Sequence, residues 1–143
     1  GPFVIPSDPV LITVLPVGNL VGWVGNTGNW STAANWTNQV PGITNDAAIN
    51  NGGTAQVGSG TASARSLVVG DPQTGSVAQT GGTLQLYNRM SLGLEAGSQG
   101  NYTLSDGALI ADDFIVGSDG LGMANQTGVP VDCRVTDTAK RIA

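Results

Sequence analysis

SLVVGDPQTGSVAQTGGTLQLYNRMSLGLEAGSQGNYTLSDGALIADDFIVG, residues 66–117, repeats one short design. An apolar alternation runs into a glycine at Ser66-Leu67-Val68-Val69-Gly70, again at Arg89-Met90-Ser91-Leu92-Gly93, and again at Asp113-Phe114-Ile115-Val116-Gly117. The three glycines are 23 and 24 residues apart. A second series follows each of them: Gly75-SVAQTGGTL, Gly100-NYTLSDGAL and Gly122-MANQTGVPV. Gly82 and Gly107 match within that series, and Gly53 in NNGGTA reads as an earlier copy. Alternation over four to six residues predicts half-buried strands. Glycines between them mark corners that need positive φ or close backbone approach.

A unit of about two dozen residues with two or three short strands cannot bury its apolar face alone, whereas stacked units can. Residues ~45–131 are therefore expected to form three to four coils of a short right-handed parallel β-solenoid. The small inward residues (Ala, Gly, Ser, Val) suit the narrow interior of such a coil. A β-sandwich built from the same strands is the alternative, because turn signals every 8–12 residues fit both.

A solenoid exposes an open core and unpaired backbone at its ends. Three of the seven aromatic residues, Trp23, Trp30 and Trp36, fall within fourteen positions just ahead of the first predicted coil. Residues 18–45 are expected to fold over that coil as a Trp-rich cap, with indole N–H groups that need partners. The chain then divides into an N-terminal apolar strand segment (1–20), a capped solenoid (21–131) and a tail (132–143).

Of 143 residues, 22 are glycine, about twice ordinary usage. Charged residues make up 10%, against about 25% in ordinary domains. The net charge is −5, and three of the five basic residues (Arg134, Lys140, Arg141) lie in the last ten positions. No basic stripe is present, so nucleic acid is not an expected partner. There is no histidine, which removes a Ser-His-Asp triad and a His-ligated zinc site from this chain. No stretch approaches the ~20 apolar residues of a membrane span. The single cysteine, Cys133, cannot form an internal disulfide and is read as an incidental tail residue.

The segment Trp23-x-Gly25-x-x-Gly28-Asn29-Trp30-Ser31-x-Ala33-x-Asn35-Trp36, followed by Val40-Pro41-Gly42, Asp46-Ala47 and Gly52-Gly53-Thr54-Ala55, carries a resemblance. It resembles the start of secreted bacterial surface proteins with autotransporter-type β-strand repeats, many of which bear a PEP-CTERM sorting tail. The units around Gly70–Leu84 and Gly97–Leu109 are similar to that family's repeats. The resemblance covers residues ~21–128 and implies a right-handed parallel β-helix, a bacterial cell-surface or extracellular location, and adhesive or scaffolding roles. The end, VPVDCRVTDTAKRIA, breaks the repeat after Gly128, so the tail is expected to be a cap or a strand that pairs elsewhere.

Several chemistries were weighed on the residues. The tryptophans Trp23, Trp30 and Trp36 could instead form a platform for a surface polysaccharide, if their rings were exposed and coplanar. Asn29, Asn35, Asn101 and Asn125 each open an Asn-x-Ser/Thr sequon, and turn chemistry accounts for them better than glycosylation. Asp106 with Asp112, and Asp71 with Glu95 on neighbouring coils, are the carboxylate pairs that glycoside chemistry would need. With so few charges, a polysaccharide-active enzyme is the third reading, and no catalytic residue is assigned. Gly117-Ser118-Asp119-Gly120 resembles half of a calcium turn, but the nonapeptide pattern is not completed, so neither a metal nor a cofactor is expected.

Assembly has more support. Phe3-Val4-Ile5 and the run Val10, Leu11, Ile12, Val14 and Leu15 are strongly strand-forming. A free apolar strand can add to the sheet edge of another chain, and a head-to-tail contact that does not close gives a filament. The expected function is thus an extracellular, self-associating structural or adhesive protein without enzymatic activity. A carbohydrate-binding module is the alternative.

Overall fold

The computed structural model describes residues 20–127 and the backbone of a strand at 132–135. Among the described residues, fourteen strands wind through five stacked coils. The first coil holds β1 (Leu20–Gly22) and β2 (Thr27–Asn29). The second holds β3 (Asp46–Ile49), β4 (Thr54–Val57) and β5 (Thr61–Ala64). The third holds β6 (Ser66–Val69), β7 (Thr74–Gln79) and β8 (Thr83–Leu86). The fourth holds β9 (Arg89–Leu92), β10 (Gln99–Leu104) and β11 (Ala108–Ala111). The fifth holds β12 (Asp113–Val116), β13 (Leu121–Gln126) and β14 (Asp132–Val135).

Strands at equivalent places stack into three parallel sheets: β1-β3-β6-β9-β12, then β2-β4-β7-β10-β13, then β5-β8-β11-β14. This is a β-solenoid, not a sandwich. The register reproduces the sequence repeat, with Gly75 opposite Gly100 and Gly100 opposite Gly122. Inward positions alternate with outward ones, so Leu67, Val69, Leu84, Met90, Leu92, Leu109 and Phe114 are fully buried in one continuous core.

The first corner of each coil explains two glycine columns. Gly70, Gly93 and Gly117 have φ of 83°, 70° and 73°, which a side chain rarely adopts. Their N–H groups donate to Ile49, Val69 and Leu92 one coil earlier. Those carbonyls fill the space beside Gly75, Gly100 and Gly122, where an added Cβ would collide with them.

The three to four coils expected from near residue 45 are present as the second to fifth coils, and the correction concerns what precedes them. Residues 20–29 already join the first two sheets through β1 and β2. The predicted cap is thus a partial coil with a lid. In the tail, Asp132–Val135 forms a strand that continues the third sheet beside β11.

Candidate functional site

The first coil has no strand in the third sheet. After β2 the chain leaves the solenoid path, makes a 3-10 turn at Ala33–Asn35, and returns to β3 at Asp46. This excursion is the lid. Trp23, Trp30 and Trp36 are 3%, 2% and 3% exposed. Trp36 sits between the other two rings, with centroids 5.0 Å from Trp23 and 4.9 Å from Trp30, both edge-on. Such edge contacts add to the area buried by each ring. The Trp36 Nε1–H donates to the Trp30 carbonyl at 2.7 Å, and Trp23 Nε1–H to Asn26 at 3.1 Å. Trp30 Nε1–H is buried with no partner.

The rings therefore close the core, as a cap should. They present no free face for a sugar to stack on, so the platform reading gains nothing from this geometry.

The lid closes the first two sheets in different ways. Val24 N–H donates to the Asn35 carbonyl and Thr37 N–H to that of Gly22, an antiparallel bridge that covers the free edge beyond β1. Over β2 a side chain does the work: Asn35 Nδ2 donates to the Asn29 carbonyl at 3.1 Å. The Asn35 amide lies so close to Gly25 and Gly28 that a Cβ at either would strike it.

The third sheet is left open. Its edge strand among the described residues is β5. Thr83 and Tyr87 N–H groups donate to Gly60 and Ala64, which fixes the peptide groups of Gly60, Ala62 and Ala64 as those facing β8. The peptide groups of Thr61 and Ser63 point the other way, toward the coil above, by the alternation of a parallel ladder. Among the described residues only Arg65, just past the strand, finds a partner there: its N–H donates to the Asn45 carbonyl at 2.7 Å. A cavity of about 210 Å³ borders this edge, lined by Trp30, Val40, Ile43, Val57, Thr61 and Ala62 among others. Ile43 is exposed.

Among the charged groups, Arg65 and Asp46 form a bidentate pair at 2.8 and 2.6 Å. The Asp46 carboxylate raises the guanidinium pKa further. Arg89 reaches Asp113 at 3.5 Å in the next coil. Asp71 and Glu95 do meet across adjacent coils. Hydrogen bonding to Asp71, then its like charge, hold the Glu95 carboxyl above the usual carboxylate range. Asp106 accepts the N–H of its neighbour Gly107 at 2.8 Å.

Asn29 Oδ1 accepts the Ser31 N–H and hydroxyl, and Asn101 reaches Ser76, so these sequon asparagines serve turns and ladders. Ser118, Asp119 and Gly120 donate to carbonyls of the preceding coil in an ordinary corner. Among the described residues, no three His, Cys, Asp or Glu side chains converge on one point. The assembly residues Phe3, Val4, Ile5, Val10, Leu11, Ile12, Val14 and Leu15 lie outside the described residues.

Sequence reasoning missed the open edge of β5. Its only signal was that residues 30–45 lack the alternation seen in every later coil. No protein family, curated protein or solved structure matches this chain.

Proposed function

We propose that this chain is an extracellular structural module of a bacterial surface that associates with copies of itself through exposed strand edges. The observation that carries the reading is the asymmetry of the lid. It closes two sheets by backbone and side-chain hydrogen bonds and leaves the third ending in the open edge of β5 beside an apolar cavity. Unpaired strand edges are templates for pairing with another chain. The low charge is in keeping with this, since edge strands that resist pairing are usually guarded by charged side chains. Adhesion is a secondary role suggested by the sequence resemblance.

The test is negative-stain electron microscopy of the purified chain over a concentration series, with light scattering alongside. Particles of uniform width that lengthen with concentration are expected. A strict monomer throughout would remove the assembly reading.

A further inference from the structure

The edge of β5 has features that define what it would accept. The peptide groups of Thr61 and Ser63 offer donors and acceptors at strand spacing, facing away from β8. Trp30, which lines the same cavity, carries a buried N–H without an acceptor. An orphaned buried donor destabilises the fold, and a carbonyl brought beside it recovers that loss. The cavity is apolar on two sides, with Trp30, Val57 and Ala62 on the core side and Val40 and Ile43 on the lid side. No backbone hydrogen bond ties residues 40–44 to β5.

A segment suited to such a slot is apolar on both faces, as strands buried on both sides are. Val10–Val17 is such a segment: Val10, Ile12 and Val14 fall on one face, and Leu11 and Leu15 on the other. The chain enters β1 at Leu20, stacked directly on Asp46, while Asn45 occupies the corner above Arg65. Leu20 thus lies one strand layer, about 4.8 Å, beyond Asp46 and the stretch 41–45 that walls the cavity. Reaching β5 in cis means crossing that stretch.

We propose that the β5 edge and the cavity under Trp30 accept the Val10–Val17 strand of a second copy of this chain. The proposal rests on the assembly reading and names its contact. Each copy then carries one donor strand and one acceptor edge, which gives open head-to-tail chains.

The experiment uses full-length chains carrying Ser63→Pro, Ile43→Lys or Ile12→Asp, followed by light scattering and analytical ultracentrifugation. Ser63→Pro removes an N–H that faces the slot and leaves the β8 ladder intact. Ile43→Lys puts a charge in the wall at an exposed position, so it reads the slot independently of strand geometry. Each is expected to weaken self-association by about 10- to 100-fold, the equivalent of a lost and orphaned hydrogen bond. An equimolar mixture of Ser63→Pro and Ile12→Asp chains, one with an intact donor and the other with an intact acceptor, should form heterodimers that grow no further. Wild-type assembly that survives all three substitutions overturns this contact while leaving self-assembly standing. A monomeric wild type removes the assembly reading itself. If that monomer melts lower with Ile12→Asp, the segment docks in its own chain and the second copy is overturned.

Discussion

The second and third coils have nearly the same backbone and quite different interiors. At four of the six inward positions that stack in register, the second coil has Ala47, Ala55, Ala62 and Ala64 where the third has Leu67, Val77, Leu84 and Leu86; at the other two, Ile49 and Val57 face Val69 and Gln79. All are buried. The alanines lie next to the lid. Three indole rings descend there, each burying on the order of 150–250 Å². Where the lid ends, ordinary aliphatic packing resumes. The comparison teaches that a solenoid end is closed by two matched choices. Large rings fill the mouth, and the first complete coil gives up volume to receive them.

The largest effect is expected from Trp36→Ala. It removes the ring that touches both of the others and the N–H that holds the Trp30 carbonyl. A loss of about 3–5 kcal/mol is expected in chemical denaturation. A loss below ~1 kcal/mol would mean that the rings are not what closes the core. Ala64→Leu tests the other half of the match. It gives the second coil a residue the third coil carries at the same register position, Leu86. Beneath the lid it should overpack and cost about 1–3 kcal/mol. If it is neutral or stabilising, the alanines are not making room for tryptophan.

Asn35→Ala removes the amide that covers β2, at an expected cost of about 1 kcal/mol. Hydrogen exchange should then speed up at the first coil and not at the fourth. Glu95→Gln should have the smallest effect, visible only as pH dependence. Its folded-state pKa is raised by Asp71, so the favourable contribution is full below the ordinary glutamate pKa and is lost as pH rises through the raised value. The wild type should lose a little stability across that acidic window, and the variant should not. Melting temperatures measured from pH 3.5 to 7 would separate them.

The repeat was legible wherever side chains obey it. Gly70, Gly93 and Gly117, and the Gly75-Gly100-Gly122 column, could be aligned by eye because only glycine fits those backbones. The same spacing correctly brought Asp71 to Glu95. The first coil was not recognised because β1 and β2 are held by backbone bonds to the second coil, such as Trp23 N–H to Ala48 and Trp30 N–H to Gln56. Three residues each, they carry too little alternation to announce a strand. The tryptophans were read as a plug from chemistry alone, since small-residue coils cannot close themselves. The open edge of β5 was illegible. TASA looks like any other strand of this chain, and what sets it apart is the path taken by residues 30–45, which is a tertiary fact.

The three corners of the coil differ in how much length they tolerate. Between the second and third sheets the link is three residues in the second, third and fourth coils: 58–60, 80–82 and 105–107. Between the third sheet and the first it is one residue at Arg65 and at Asp112, and two at 87–88. Between the first and second sheets it runs over 50–53, 70–73 and 117–120, then lengthens to 93–98 in the fourth coil without disturbing the ladder on either side. Gly97, in that longer link, has open space around it. This corner is where the chain can acquire new sequence by insertion and carry it outward while the winding beneath stays in register. Variation among copies of such a coil would accumulate along that one ridge.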